Sequence, residues 1–333
     1  MIISSQGEAC SPNDDIKALD LNGSNALRDR LLKIQANSGG GDAALLAGAE
    51  IDLEQEKQAV KVELTKVEQA RQALQDFRDY LAQCSDKAAQ ALPNEEELVY
   101  NYNPETQECE ISRQDGEDIE LDLGQSNLQG ELPLPPQLMV AKLYCGHNQL
   151  TTLPQLPASL NVIYCSYNQL TTLPELPTNL TYLTCEFNQL RTLPKLPPSL
   201  TKLSCSYSQL TNLPELPDSL TRLDCDNNQL TALPELPDSL SRLDCHNNQL
   251  TALPELPDSL TWLYCYDNQL TALPDLPANL TRFWCHHNQL TALPDLPASL
   301  TELWCGGNPS LASDPATQAA LKAMRDRGGT VSS

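Results

Sequence analysis

A twenty-residue repeat restricts the fold of this 333-residue chain more than any other feature of its sequence. A cysteine returns at every twentieth position from Cys145 to Cys305, inside the pattern L-x-x-L-x-C-x-x-N-Q-L-T-x-L-P-x-L-P. A fixed period near this length is typical of a solenoid, in which each unit contacts only its neighbours. Because one unit cannot bury its own leucines, the core has to form between stacked units.

Each unit contains one short strand. Residues 219–225 alternate apolar and polar side chains, which is the period of a strand. The inward positions are Leu220, Leu223 and Cys225, and the outward positions are Arg222, Asp224 and Asp226. Pro234 and Pro237 follow this strand, and proline removes a hydrogen-bond donor and holds the chain extended. We therefore expect parallel strands about 4.8 Å apart and a convex side without helices.

An asparagine follows each strand, three residues after the cysteine. Its amide can satisfy backbone groups at a bend that the stack encloses. Ser208 interrupts the series, and we expect that rung of the stack to be weakened. The asparagines of the series are Asn148, Asn168, Asn188, Asn228, Asn248, Asn268, Asn288 and Asn308.

The repeated cysteines allow three interpretations: small buried side chains, a ladder of disulfides, or a series of metal ligands. Side chains on neighbouring parallel strands point the same way rather than at each other, and no C-x-x-C spacing occurs. A buried free cysteine behaves as a small apolar residue. We therefore predict unoxidised core cysteines, which suit a reducing compartment.

The unit L-x-C-x-x-N-Q-L-T-x-L-P-E-L-P-x-S-L, as in residues 243–260, resembles the repeats of bacterial virulence effectors of Yersinia, Shigella and Salmonella. The resemblance implies a leucine-rich-repeat solenoid, or horseshoe, of about ten parallel strands. It also implies a protein that a bacterium secretes into the cytoplasm of a host cell, where it binds host proteins.

One branch of that family carries a C-terminal ubiquitin-ligase domain with a catalytic cysteine in a C-x-D motif. Here the segment after Asn308 is short and predicts one capping helix. Ser313 or Asp314 is the expected N-cap, Pro315 lies in the first turn and Gly328 follows the end. The chain therefore departs from the ligase branch.

Two C-x-D strings begin at Cys84 and Cys265, and neither lies beyond the repeats. Cys265 occupies the core position of its repeat, and Cys84 falls within a long predicted helix. No G-x-S-x-G nucleophile setting and no phosphate-binding loop appears either. We therefore expect no enzymatic activity, and a ligase that uses Cys84 is the least favoured alternative.

The residues before the repeats predict a cap. Residues 96–118 contain a hairpin with Pro104 at its turn, which we expect to cover the first open edge of the ladder. A degenerate first repeat follows, with Leu121, Leu123 and Leu128 in the leucine positions. The expected organisation is a helical region at 1–95, the hairpin at 96–118, repeats at 119–308 and a C-terminal cap at 309–333.

Residues 49–92 contain neither Gly nor Pro and carry a heptad pattern of apolar residues. A glycine-rich separator at 38–42 divides this predicted helix from a shorter one near 26–36. The seam fits packing on the shorter helix, self-association through residues 53–91, or contact with a host protein. Its residues are Leu53, Val60, Val67, Leu74, Leu81 and Ala88. Ala70, Phe77, Cys84 and Ala91 each follow one of the last four by three positions.

Four positions of each repeat should face the concave side: the two residues around the second leucine and the two after the cysteine. They hold most of the chain's aromatic residues, including all three tryptophans, and all four histidines. Clustered exposed aromatics are typical of a binding surface. The candidate partner-binding residues are Tyr144, Tyr164, Tyr167, Tyr182, Phe187, Arg222, Asp224, Arg242, Trp262, Tyr264, Tyr266, Arg282, Trp284, His286 and Trp304.

We interpret these residues as two aromatic groups on either side of a charged centre. For the charged residues an alternative remains, in which Arg222, Asp224, Arg242 and Asp244 only neutralise one another. The face also holds residues of types that can bind zinc, namely His246, His286, His287, Asp244 and Asp267. A metal site there is disfavoured, because ligands two rungs apart would lie roughly 9–10 Å apart at the backbone. We predict no cofactor.

The net charge of -23 excludes several partners. No segment is basic enough to bind nucleic acid, and no apolar run is long enough to cross a membrane. The N-terminal residues lack the pattern of a secretory signal. The sequence therefore predicts a non-enzymatic protein-interaction module. The alternative is an adaptor that recruits a host enzyme through its N-terminal helices.

Overall fold

The computed structural model describes residues 43–333, except for the side chains of residues 43–54, 56 and 57. The separator predicted at 38–42 and the helix predicted near 26–36 lie outside the described residues, and so does the side chain of Leu53. The N-terminal part of the described chain contains helices α1 (Ala43–Cys84) and α2 (Asp86–Ala89) and a short 3-10 turn at Glu95–Glu97.

The heptad seam of α1 packs within the chain. Leu74, Phe77 and Leu81 are fully buried in the main core, and Ala88 of α2 joins them. Strands β1 (Leu98–Asn103) and β2 (Glu108–Arg113) lie against α1 and contribute to the same core. The C-terminal half of the seam is therefore an intrachain contact, and self-association through the rest of it stays a prediction.

β1 and β2 form an antiparallel hairpin in which Asn103 lies opposite Glu108. We expected this hairpin to cover the first open edge of the ladder. It bonds to residues 137–139, which lead into the second strand of the ladder. Ile111 N–H donates to the Gln137 carbonyl at 2.7 Å, and Met139 N–H donates to the Ile111 carbonyl at 2.9 Å. α2 contacts the first strand of the ladder as well, because Lys87 Nζ reaches the Asp122 carboxylate at 2.8 Å.

Eleven parallel strands form the main sheet, and each pairs with the strand of the next repeat. Leu223 lies opposite Leu203 on one side and Leu243 on the other. The strands are β3 (Ile119–Asp122), β5 (Val140–Tyr144), β7 (Val162–Tyr164), β8 (Tyr182–Thr184), β9 (Lys202–Ser204), β10 (Arg222–Asp224), β11 (Arg242–Asp244), β12 (Trp262–Tyr264), β13 (Arg282–Trp284), β14 (Glu302–Trp304) and β15 (Thr330–Ser332).

The convex side is extended, as predicted. From β7 to β14 each return segment runs to the next strand without a helix. Only near the start does the convex side contain a regular pair, in which β4 (Gln129–Glu131) lies parallel to β6 (Gln149–Thr152). The predicted leucine-rich-repeat solenoid is therefore confirmed.

The core is built from the leucine and cysteine positions of every repeat. Leu220, Leu223 and Cys225 have no exposed surface, as the strand alternation predicts. Asp224 and Asp226, at outward positions, are nevertheless only 6% and 7% exposed. Both carboxylates leave the strand on its outer face, but side chains of neighbouring rungs cover them there.

The asparagine series satisfies the backbone at each bend. Asn228 donates from Nδ2 to the carbonyls of Cys205 at 3.0 Å and Cys225 at 3.1 Å, and its Oδ1 accepts the Leu210 N–H at 3.0 Å. Ser208 cannot span these distances. Its hydroxyl is buried without a hydrogen-bond partner among the described residues. The rung that the sequence marks as irregular therefore lacks the bonds of its neighbours.

The C-terminal cap is α3 (Pro315–Asp326). Asp314 is its N-cap and accepts the Thr317 N–H at 2.8 Å, and Gly328 follows with a positive φ of 88°. This confirms the predicted helix. The chain then adds β15, which pairs with β14 and which the sequence pattern does not predict. None of the helices within residues 43–333 is both long and apolar enough to span a bilayer.

Candidate functional site

The concave face, as we use the term, consists of the residues on either side of the second leucine and the two residues after the cysteine. The second of these two adopts a left-handed backbone in successive rungs, with φ of 57° at Tyr167, 51° at Phe187 and 52° at Tyr207. This repeated conformation places equivalent side chains directly above one another. Parallel rungs then bring their rings within stacking distance.

The N-terminal stack is a column of four rings: His147, Tyr167, Phe187 and Tyr207. Neighbouring ring centres are 4.1–4.2 Å apart, and the ring planes are inclined by 9–10°. Tyr167 is 43% exposed and Tyr207 is 45% exposed. Tyr207 was not among the predicted site residues, although it occupies the same repeat position as Tyr167. Alignment of that position along the repeats would have found it.

A second column of tyrosines lies beside this stack on the strands. The ring of Tyr164 lies between those of Tyr144 and Tyr182, at 4.9 Å from each. Burial, followed by the hydrogen bond with Tyr164, raises the pKa of Tyr182 to about 12. The structure therefore brings these three predicted residues together in one column.

The tryptophan stack forms the other end of the concave face and consists of Tyr264, Trp284 and Trp304. The ring centres of Tyr264 and Trp284 are 4.5 Å apart, and those of Trp284 and Trp304 are 4.8 Å apart. Trp284 Nε1 donates to Glu302 at 3.1 Å. Trp304 is 39% exposed, but Tyr264 is only 8% exposed. The prediction of Tyr264 as a surface contact is therefore corrected, because neighbouring side chains cover its ring.

A third column, beside the tryptophan stack, consists of His246, Tyr266 and His286. The ring of Tyr266 stacks on His246 at 4.2 Å and on His286 at 4.3 Å. Trp262 lies in a different column, between two guanidinium groups. The distances from its ring centre are 5.1 Å to Arg242 and 4.6 Å to Arg282, which is cation–π geometry. Trp262 therefore has both faces covered by its own chain.

The charged centre lies on β10 and β11. Arg222 Nε donates to Asp224 at 2.6 Å, and Arg242 contacts Asp224 at 3.3 Å and Asp244 at 3.8 Å. Burial raises the pKa of Asp224, although both arginines oppose that shift. The structure therefore shows the mutual pairing that the sequence left as an alternative. The direct role in partner binding that the sequence analysis assigned to Arg222, Asp224 and Arg242 is the competing hypothesis.

The structure also brings Asp226 next to His246 and Asp244, two residues of the metal site that the sequence analysis considered. His246 Nδ1 lies 2.6 Å from Asp244 Oδ1, and its Nε2 lies 3.7 Å from Asp226 Oδ2. One potential metal-ligand atom from each of these residues lies within 4.8 Å of the others. The backbone spacing of roughly 9–10 Å applies to ligands two rungs apart, whereas these side chains come from adjacent rungs.

His246 is subject to opposing effects. Burial lowers its pKa, while the hydrogen bond to Asp244 and the charges of Asp244 and Asp226 raise it, and the net shift is upward. His287 pairs separately with Asp267, with 2.9 Å between Nδ1 and Oδ1. Burial lowers the pKa of His286, and the nearby charge of His287 lowers it further.

The cysteines form no disulfide among the described residues. The repeat cysteines are buried, and burial raises the pKa of Cys145 to about 12 and that of Cys265 well above its usual value. These thiols therefore stay protonated and shielded, which fits a core role. The C-x-D string at Cys265 cannot present an accessible nucleophile.

No protein-family model matches the chain, and no curated protein sequence matches it. Among solved structures, it is similar to YopM, a leucine-rich effector protein from Yersinia pestis. The two share 31% identity with a TM-score of 0.53, over 70% of this chain and 71% of that one.

Other solved structures are also similar to the chain. A Shigella effector leucine-rich-repeat domain shares 30% identity with a TM-score of 0.45, over 66% of this chain and 82% of that one. YopM from Yersinia enterocolitica shares 31% identity with a TM-score of 0.30, over 56% of this chain and 55% of that one. The identity to Yersinia pestis YopM, together with its coverage, shows that the chain belongs to the family of bacterial leucine-rich-repeat effector proteins.

Proposed function

We propose that the chain is a non-enzymatic module that binds a host protein on its concave face, after a bacterium has secreted it into the host cell. It would act by occupying a surface of that host protein, either as a scaffold or as a blocker. The family supports this proposal, because the leucine-rich-repeat fold is a protein-interaction fold.

One observation carries the proposal. The exposed large hydrophobic side chains of residues 58–333 are Tyr167, Tyr207 and Trp304, and all three lie on the concave face. Large aromatic side chains that remain exposed in this way are typical anchors of protein interfaces. The convex side instead carries acidic residues such as Glu235 and Glu255, which favour solubility.

The free thiols support the proposed compartment. Free cysteines are typical of proteins in reducing compartments, and the repeat cysteines are packed as free thiols. A core of this kind suits the host cytoplasm. An enzymatic role finds no support in the described part of the chain, since the buried repeat thiols are not available as nucleophiles.

Affinity capture from host-cell cytosol under reducing conditions tests this proposal. The baits are the wild type, a variant with Tyr167→Ala and Tyr207→Ala, and a Trp304→Ala variant. A convex variant with Glu235→Ala and Glu255→Ala serves as control, and circular dichroism verifies that all are folded. We expect a partner that the convex variant retains and at least one concave variant loses. A partner that all baits retain equally would contradict the proposal.

The adaptor alternative needs an experiment of its own. Deletion of residues 1–95 would remove Leu74, Phe77 and Leu81 from the core and expose the first repeats. Deletion of residues 1–42 leaves α1 intact. If the protein is an adaptor whose second partner binds residues 1–42, this variant should keep its target and lose its cellular effect. A protein that acts only through its concave face should keep both.

A further inference from the structure

One junction of the solenoid, between the rungs that contain Asn188 and Ser208, has fewer hydrogen bonds than its neighbours. At the preceding junction, Asn168 N–H donates to the Phe187 carbonyl at 3.2 Å. Within the described chain, the equivalent backbone bond is missing for Asn188 and again for Ser208. It is also missing for Asn288, near the C-terminal cap.

The junction between Asn188 and Ser208 also lacks the asparagine side chain that bridges the others. At the preceding junction, Asn188 Oδ1 accepts the Leu170 N–H at 2.9 Å. Ser208 makes no such bond, and its hydroxyl has no partner among the described residues. At the two other junctions without the backbone bond, Asn228 and Asn308 provide the bridge. Of the described junctions from residue 148 to residue 308, only this one therefore lacks both.

The strand side of the same junction keeps its contacts. Strands β8 and β9 pair in register, and Ser204 donates to the Glu186 carboxylate across the junction. The rings of Phe187 and Tyr207 stack with centres 4.1 Å apart. The missing bonds therefore lie in the turns that follow the strands, and opening there leaves the paired strands as an axis.

The architecture makes a single weak junction important. Each repeat of a solenoid contacts only its neighbours, so the stability is approximately a sum over repeats and the interfaces between them. The interface with the fewest bonds opens at the lowest free energy and separates cooperative units. The core does not offset the missing bonds, because Leu190 and Leu210 are as fully buried as their counterparts in other repeats.

We propose that the junction between the rungs of Asn188 and Ser208 is a hinge that divides the solenoid into two rigid arrays. The hinge opens in the turns after β8 and β9. Of the exposed aromatic side chains, Tyr167 lies before the hinge and Trp304 lies after it. Opening therefore changes the orientation of these two side chains relative to each other. The hinge is a property of the free chain and does not depend on any partner.

Amide hydrogen exchange of the full chain, followed by nuclear magnetic resonance, tests the hinge. Gln209 N–H donates across it to the Leu190 carbonyl at 2.9 Å. Gln189 and Gln249 make the same bond at 2.9 Å across regular junctions. We expect Gln209 to exchange about tenfold faster than these two, because several bonds of modest net contribution are missing at its junction.

Two matched variants move the difference. Ser208→Asn supplies the bridging amide and should bring the exchange of Gln209 to within about threefold of the two reference amides. Asn248→Ser removes the bridge from a regular junction, where Asn248 Oδ1 accepts the Leu230 N–H at 3.0 Å. It should accelerate the exchange of Gln249 and leave that of Gln189 unchanged.

Spin labels on the convex side measure the motion of the arrays themselves. The exposed residues Glu175 and Glu235 lie on opposite sides of the hinge, whereas Glu235 and the exposed Asp295 lie in one array at the same sequence separation. Each pair is replaced by labelled cysteines, with Cys10 and Cys84 changed to Ser. Electron paramagnetic resonance should give a broader distance distribution for the first pair, and Ser208→Asn should narrow it to the width of the second.

Two outcomes would overturn the hinge. One is equal exchange of Gln209, Gln189 and Gln249 in the wild type. The other is an equal width of the two distance distributions, because faster exchange of Gln209 would then report a local opening without motion of the arrays. Neither outcome bears on whether the concave face binds a host protein.

Discussion

The indole of Trp304 stacks on that of Trp284, with ring centres 4.8 Å apart and planes inclined by 19°. On the next rung β15 places Ser332 in register with Trp304, and a serine side chain is too small to cover an indole. The column of rings therefore ends in an aromatic surface that is 39% exposed. A planar or apolar side chain of a partner could continue the stack there.

Replacement of Trp304 by Ala should weaken partner binding far more than it weakens the fold. We expect a loss of about 2 kcal/mol in binding free energy, which is typical of a central aromatic anchor. The midpoint of thermal unfolding should change little, because much of the ring is exposed. Titration calorimetry with the captured partner measures the affinity. An affinity equal to that of the wild type would remove Trp304 from the interface.

Replacement of Ser208 by Asn should stabilise the solenoid. The new amide can restore the bonds to the Cys185 and Cys205 carbonyls and the Leu190 N–H that this rung lacks. Relief of a buried unsatisfied group contributes about 1–3 kcal/mol. Urea denaturation measures the change in the free energy of unfolding.

The matched control for this prediction is Asn228→Ser, which removes from the next rung the bonds that Ser208→Asn adds. It should lower the free energy of unfolding by a similar amount. A Ser208→Asn variant that is no more stable than the wild type would show that the irregular rung has another means of satisfying its backbone.

The core thiols should resist alkylation in the folded protein. Burial raises the pKa of Cys145 to about 12 and that of Cys165 well above its usual value, so at pH 8 these groups remain protonated and unreactive. Cys84 is only partly buried and should react with iodoacetamide. Peptide mass spectrometry, with an unfolded sample as control, measures the labelling. Rapid labelling of any of the nine repeat cysteines in the native state would contradict the buried core.

Neutralisation of the Arg222–Asp224 pair should leave partner binding nearly unchanged. Since the two side chains bond to each other at 2.6 Å, the double variant Arg222→Gln with Asp224→Asn removes both charges together. We expect the partner's affinity to stay within about threefold of the wild type, as for charges that mainly neutralise each other. A loss of tenfold or more would instead place the charged centre in the interface.

The repeat frame could be predicted from sequence because its signals are local and repeated. Leu223 and Cys225 alternate with polar residues, and Asp314 and Pro315 form a recognisable helix start. β15 escaped prediction because Thr330–Ser332 has no repeat motif. Its strand conformation comes from pairing with β14, which is a tertiary contact.

The concave face could be predicted only as a set of positions. Strand alternation places Asp224 and Tyr264 on the outer side, but it does not show that side chains of adjacent rungs cover them. The cluster around His246 could not be predicted for the same reason, because Asp226 and His246 are brought close by the pairing of β10 with β11. Contacts between rungs depend on register and on rotamers, which a single repeat does not determine.

Site-specific photocrosslinking in host-cell cytosol tests the central claim most directly. A photoreactive phenylalanine analogue replaces Trp304 or Tyr207 on the concave face, or Glu255 on the convex side as control, under reducing conditions. The account predicts a crosslinked host protein from position 304, position 207 or both, and none from position 255. A crosslinked product from position 255 alone, with folded concave variants that give none, would contradict it.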